Sequence, residues 1–179
     1  EDIVIGTIKS LEKKYGIIDL VYAFKIIKNK FPELSLKLLI VGRGSLEGEI
    51  KKLVKELSLE SCTTLTGFVS PNEVEKYHNE LDIFVAVSTE DSESFGVSIL
   101  EASACEKPVI VSDKGGLKEV VENNITGIIV PANNPLKLAD AMERLIQDKE
   151  LSNSLGKAGR IRVLRHYDWE NSLFEMIKN

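Results

Sequence analysis

The sequence predicts an α/β fold: a Rossmann-like, doubly wound parallel sheet of about six strands, with helices on both faces and a helical C-terminal tail. Three observations lead there. Short runs rich in Val and Ile alternate with helical patterns along most of the chain. Most of these runs are unbroken apolar stretches and not period-two alternations, as befits parallel strands covered on both faces. The stretches that follow them gather glycines, hydroxyls and lysines, which suits loops at one rim of a sheet.

Strands are expected at 3–8, 36–41, 63–66, 83–87, 109–111 and 127–130. Between the first two, residues 17–30 set Ile17, Leu20, Val21, Phe24 and Ile27 on one stripe at three- and four-residue steps. Residues 46–57 repeat the pattern through Leu46, Ile50, Leu53, Val54 and Leu57. Ser70 followed by Pro71 reads as an N-cap and first turn of another helix. Small residues Ala102, Ser103 and Ala104 are expected to let their helix lie close on the sheet. After Val130 the strands stop, and residues 135–148, 151–166 and 168–178 read as three amphipathic helices. No internal repeat, low-complexity tract or Pro-rich linker divides the chain, so one domain is expected.

Composition bounds the function. At 179 residues with 43% hydrophobic and 28% charged content, the chain has the makeup of a soluble globular domain with a sizeable core. No apolar run approaches the ~18 residues of a membrane helix. The first residues already read as a strand and not as a secretory leader, so the domain is expected to be cut from something longer. A net charge of −5 argues against a nucleic-acid partner. Cys62 and Cys105 sit in apolar stretches without metal-ligand spacing and are read as buried free thiols. His78 and His166 lie far apart, and no metal site is expected.

In an open parallel sheet, ligands bind beyond the carboxyl ends of the strands. The sharpest constellation there is the stretch from Glu93 through Ser94, Phe95, Gly96, Val97 and Ser98 to Glu101. Gly96 lets the backbone approach a ligand, and a helix starting there turns the amides of Val97 and Ser98 outward as an anion site. Glu101 falls about one turn further on the same side, where a carboxylate can accept hydrogen bonds from two vicinal hydroxyls. Glu93 precedes the helix. The plainer reading stands beside this one: acidic groups near a helix start also complement its dipole. Lys9 and Lys14, in the first loop, suit phosphate by position, although lysines are more often solvated.

These residues resemble the E-x7-E motif of the family 4 retaining glycosyltransferases, which have the two-domain GT-B fold. The likeness extends along the chain. Ile40-Val41-Gly42-Arg43-Gly44 is similar to the family's I-V-G-x-G, and Gly67-Phe68-Val69 to its G-x-V. Leu81-Asp82-Ile83-Phe84-Val85 resembles A-D-x-x-V, and the stretch from Leu100 to Ile110 resembles L-E-A-M-A-x-G-x-P-V-I. Gly116-Leu117-Lys118-Glu119 and the stretch from Gly127 to Val130 resemble its G-G-x-x-E and G-x-L-V segments, and Tyr167-Asp168-Trp169 its F-S-W.

The resemblance implies a C-terminal domain, spanning residues 1–179, that binds a nucleotide diphosphate sugar. Glu101 would hold the ribose hydroxyls. Phe95, Gly96 and Val97 would contact sugar and phosphate, and Glu93 would hold the transferred sugar. Gly42, Phe68 and Val69 would lie at the base. Lys9 and Lys14 would neutralise the leaving diphosphate, so Glu93, Lys9 and Lys14 form the implied catalytic set. No cofactor and no metal are implied, since the lysines take the place of a cation. The implied partners are a UDP- or GDP-sugar, an N-terminal domain of the same protein, and an acceptor sugar or lipid-linked glycan. The implied setting is polysaccharide or glycoconjugate synthesis in the cytoplasm, with a peripheral place at the inner membrane face.

Some positions depart from the family pattern. Lys9 stands where an arginine is usual, which replaces a bidentate clamp by a point charge. Tyr15 takes the slot of the usual lysine, so that role passes to Lys14. Glu106 stands where a glycine is usual, at a cost of about 1 kcal/mol if its backbone is left-handed. A nicotinamide-binding domain would instead require G-x-G-x-x-G after the first strand, and Gly42-Arg43-Gly44 lacks both that position and the third glycine. A non-catalytic α/β interaction module would account for the fold but not for the spacing of Glu93 and Glu101.

Overall fold

The computed structural model describes residues 2–91 and 96–167. Six parallel strands among them form one sheet: β1 (Ile3–Ile8), β2 (Leu36–Val41), β3 (Thr63–Gly67), β4 (Ile83–Ala86), β5 (Val109–Ser112) and β6 (Ile128–Val130). The spatial order is β3-β2-β1-β4-β5-β6, with every strand pair parallel. The helices are α1 (Ile17–Lys30), α2 (Glu47–Glu56), α3 (Val74–Glu80), α4 (Val97–Ala104), α5 (Leu117–Val120), α6 (Pro135–Gln147) and α7 (Lys149–His166). Among the described residues no helix is long and apolar enough to cross a membrane.

The unbroken apolar strands are explained by the two layers they separate. Ile5, Leu38, Ile40, Ile83 and Ile110 point to one face, against Leu20 and Phe24 of α1, Ile50 of α2 and Met142 of α6. Their neighbours Leu39, Val41, Phe84, Val109 and Val111 point to the other, against Ile99 and Ala102 of α4 and Leu117 of α5. Each face therefore removes its own set of side chains from water, and a polar residue there needs a partner, as Ser112 of β5 has in the Ser88 carbonyl (2.7 Å).

Element boundaries agree closely with the sequence reading, and the small differences have local causes. The second helix starts at Glu47 because the Leu46 amide donates to the Leu11 carbonyl (2.9 Å), which holds that residue in the first loop. Ser70 and Glu73 form the reciprocal capping box, but Pro71–Glu73 winds as a 3-10 turn before α3 begins. The expected helix over 168–178 and the Asp168-Trp169 part of the last motif lie outside the described residues. Cys62 and Cys105 are free but half-buried, contrary to the expectation of full burial. Burial is nonetheless the main reason why the Cys105 thiol titrates above its ordinary range.

Of the small residues of α4, Ala102 lies on the sheet as expected, whereas Ser103 serves a different neighbour. Ser103 is buried against α7, where Gly159 leaves room for it: a methyl there would sit 3.3 Å from the Ser103 hydroxyl. One turn earlier, Gly156 lies directly on the Glu106 carbonyl. Arg160 of α7 donates to the Ala104 carbonyl at the end of α4 and lies 3.6 Å from the Glu106 carboxylate. Where α4 ends, the Lys107 amide donates to the Ala102 carbonyl (3.0 Å) and the Glu106 amide to that of Ser103 (2.9 Å), the Schellman pattern. Glu106 pays the conformational cost of that stop with φ = 57°.

Two stability measurements check this corner. Replacing Glu106 by Gly relieves the left-handed strain and raises stability by about 1 kcal/mol, or roughly 2–4 °C in Tm. Replacing Gly156 by Ala gains helix propensity, but the new methyl meets backbone that cannot yield. The expected net effect is a loss of about 2 kcal/mol in denaturant unfolding.

Candidate functional site

Strand order decides where a site can form. β1 lies between β2 and β4, and the chain leaves β1 for α1 on one face but leaves β4 for α4 on the other. The segments following β1 and β4 therefore diverge and leave a crevice at the carboxyl edge, the topological switch point of a doubly wound sheet. A narrow cleft lies there, lined by Thr7, Lys9, Tyr15, Ser88, Gly96 and Ser98 among others.

The loops around the cleft are bonded to one another and not only to their own strands. The Lys9 amide donates to Val41 (2.9 Å), that of Leu11 to Arg43 (3.0 Å), and that of Gly42 to Gly67 (3.0 Å). Gly42 has φ = 137° and rests directly on the Lys9 carbonyl, a contact that leaves no space for a Cβ. Glu12 accepts from the Ser45 amide (3.0 Å) and hydroxyl (2.5 Å), and these two bonds hold its carboxyl below the ordinary range. Across the crevice, the Thr89 amide donates to the Lys14 carbonyl (2.8 Å). Asp91 accepts from the Gly115 amide (3.0 Å), which likewise lowers its pKa, with Lys114 contributing.

Lys9 and Lys14 are brought together by Tyr15. Their ammonium groups stand 4.4 and 5.1 Å from the centre of the same ring, a cation–π arrangement that holds both charges at one wall of the crevice. Lys9 lines the cleft, whereas Lys14 is half-buried behind Tyr15.

Gly96 forms the opposite wall. It is the left-handed N-cap of α4 (φ = 58°), and a Cβ there would meet Ile99 at 2.9 Å and Leu117 at 3.1 Å. The amides of Val97 and Ser98 belong to the first turn, where helix geometry supplies no intrahelical acceptor. Val97 is 59% exposed. Glu101 stands one turn further along α4 with its carboxylate about half exposed, 3.4 Å from the imidazole of His78. Phe68, after β3, is 65% exposed with Arg43 stacked 5.0 Å from its ring centre, and Val69 packs inward against the second core. Glu93 and Phe95 lie outside the described residues. Among the described residues no group of three or more His, Cys, Asp or Glu side chains is gathered where it could hold a metal ion.

The fold thus sets Lys9 and Gly96 in the lining of one crevice. Lys14 shares the Tyr15 ring with Lys9, Gly42 rests on the Lys9 carbonyl, Val97 follows Gly96, Phe68 lies on the loop after β3, and Glu101 lies a turn down α4. The sequence reading did not single out the side chains of Thr7, Ser88 and Ser98 as parts of this wall. Their hydroxyls at strand ends were the available signal. The Ser98 hydroxyl is buried with no hydrogen-bond partner among the described residues. Tyr15, which on sequence was only a departure from a pattern, organises both lysines. His78 gave no signal, because its partner is 23 residues away.

Comparison with known proteins agrees with this architecture. Residues 1–162 match the family described as glycosyl transferases group 1. A GDP-mannose-dependent alpha-(1-6)-phosphatidylinositol monomannoside mannosyltransferase from Mycobacterium tuberculosis is 33% identical over 138 residues, covering 74% of this chain and 36% of that enzyme. The chain spans little more than a third of the length of the first curated relatives it matches. Among solved structures, sucrose-phosphate synthase from Thermosynechococcus elongatus superposes with a TM-score of 0.88 at 29% identity, over 99% of this chain and 44% of that one. The C-terminal domain of a glycosyl transferase group 1 family protein (LpcC) from Francisella tularensis gives 0.84 at 25% identity, covering 93% and 87%. The chain belongs to the glycosyl transferases group 1 family.

Proposed function

We propose that this chain is the C-terminal, donor-binding domain of a two-domain family 4 glycosyltransferase that transfers a sugar with retention from a UDP- or GDP-sugar to an acceptor hydroxyl. The observation that carries this reading is the crevice between β1 and β4, which has Lys9 on one wall, with Lys14 stacked on the same Tyr15 ring, and the start of α4 on the other. Positive charge and outward amides on opposite sides of a narrow cleft suit a diphosphate. The name of the M. tuberculosis relative, GDP-mannose-dependent, supports a nucleotide diphosphate sugar. The likeness to a separately crystallised C-terminal domain supports the assignment of residues 1–179 as one domain.

In this reading each residue has a physical task. Glu101 accepts hydrogen bonds from the ribose hydroxyls. Backbone groups at Phe68 and Val69 meet the base, with Gly42 nearby. Gly96 and Val97 meet the phosphate and sugar through their backbones, joined by Phe95, while Glu93 holds sugar hydroxyls. The bond from the anomeric carbon to the diphosphate breaks as the acceptor hydroxyl approaches the same face, and negative charge builds on the leaving oxygen. Lys9, Lys14 and the α4 amides stabilise that charge, the largest contribution such a site can make. The chemistry asks for no cofactor and no metal. Acceptor binding falls to an N-terminal domain facing the crevice, and the acceptor is a sugar or lipid-linked glycan. The setting is polysaccharide or glycoconjugate synthesis in the cytoplasm, with any membrane contact peripheral at the inner face.

Calorimetric titration of the 179-residue chain with UDP-, GDP-, ADP- and CDP-sugars tests the site. One of them is expected to bind, and Glu101→Ala weakens it about tenfold or more through the lost charged hydrogen bonds. Equal affinity in that variant removes Glu101 from the site. The same chain, incubated with the donor that binds and with simple acceptors, is expected to give no transfer above the uncatalysed rate. Turnover by the chain alone contradicts the assignment of the acceptor site to another domain.

A further inference from the structure

His78 is the most deeply buried titratable side chain near the site, and nothing so far explains why a polar ring is there. It is 1% exposed, on α3, with its ring 5.4 Å from that of Phe84 in β4. Its Nε2 lies 3.4 Å from the Glu101 carboxylate, and its Nδ1 is buried with no partner among the described residues. These two facts select one tautomer. A proton on Nδ1 would leave an unpaired N–H in apolar surroundings and would set the Nε2 lone pair against a carboxylate oxygen. A proton on Nε2 avoids both and gives the carboxylate a donor.

We infer that His78 is a positioning residue: as the neutral Nε2–H tautomer it donates to Glu101 and fixes which way that carboxylate presents its other oxygen to the ligand. The inference rests on the reading of Glu101 as the ribose-binding group. Glu101 is half exposed on a helix surface, and a glutamate so placed samples several rotamers. Two vicinal hydroxyls are gripped well only by a carboxylate already held in one of them. A donor from the core side of α4 supplies that restraint without occupying the outward oxygen. The imidazole is in turn held by burial against Phe84, so the restraint comes from a rigid part of the fold.

Two measurements test this together. First, nitrogen-15 NMR of the chain distinguishes the tautomers of His78, and a His166→Gln variant makes the assignment unambiguous because the sequence holds only two histidines. The Nε2–H form is expected, with its signals displaced in Glu101→Ala. An Nδ1–H form, or signals indifferent to that change, overturns the pairing. Second, the affinities for UDP and GDP are compared with those for dUDP and dGDP, whose sugars lack the 2′-hydroxyl. Glu101→Ala is expected to abolish the preference for the ribonucleotide. His78→Phe, which keeps the ring volume, is expected to reduce that preference about three- to tenfold while leaving deoxynucleotide binding nearly unchanged. His78→Gln, whose amide nitrogen falls near the place of Nε2, is expected to restore most of it. A merely structural role predicts equal weakening for both sugars and no rescue by Gln. If Glu101→Ala removes the preference and His78→Phe does not, His78 has no positioning role and the ribose reading stands. If Glu101→Ala leaves the preference intact, or if none of the four nucleotides binds, the ribose reading falls and this inference with it.

Discussion

Two adjacent parallel strands whose following segments depart to opposite faces of the sheet are the constraint on which the rest of this molecule depends. With β1 beside β4, α1 must cover one layer and α4 the other, and neither can close the space above their shared edge. The core imposes this arrangement. Each strand carries apolar residues on both sides, so each side needs a helix, and short right-handed crossovers leave no other way to supply them. The crevice is thus a by-product of burial, which the chain then furnishes with lysines, hydroxyls and a glycine-started helix.

That furnishing relies on loops that brace one another. The loops after β1, β2 and β3 are joined by amide-to-carbonyl bonds at Lys9, Leu11 and Gly42, and Glu12 fastens the first loop to Ser45. Thr89 does the same across the crevice, to Lys14, and Asp91 ties the loop after β4 to Gly115 after β5. Loops at the rim of a sheet ordinarily have freedom to lose when they meet a ligand. Here much of that entropy has been surrendered on folding, and the cation pair on Tyr15 is set in advance. In the proposed donor-binding role, preorganised charge of this kind is worth more than mobile charge, because it need not reorient as the charge on a leaving group develops.

The sequence conveyed the sheet almost completely, since unbroken Val- and Ile-rich runs have few uses other than a strand buried on both faces. It also pointed to Lys9, Gly42 and Gly96, whose positions follow from strand ends alone. Features built across the fold were much less legible. Tyr15 looked like a misplaced lysine until the loop geometry set both neighbouring ammonium groups over its ring. His78 read as an ordinary helical residue, and only the packing of α3 beside α4 brings it to Glu101. Ser103 was read as a contact with the sheet because local sequence cannot say which side of a short helix a distant glycine will approach. The left-handed backbone of Glu106, by contrast, was anticipated from the missing glycine.

The contact between Gly156 and the carbonyl of Glu106 has a mechanical meaning. A bare patch on one helix sits over a protruding oxygen on another, and the same-face neighbours one turn to either side, Ser152 and Arg160, carry side chains that would meet that oxygen if α7 slid by a turn. The two rods are locked in register. Gly156 thus sets how closely and in what register α7 lies on the end of α4 opposite Gly96.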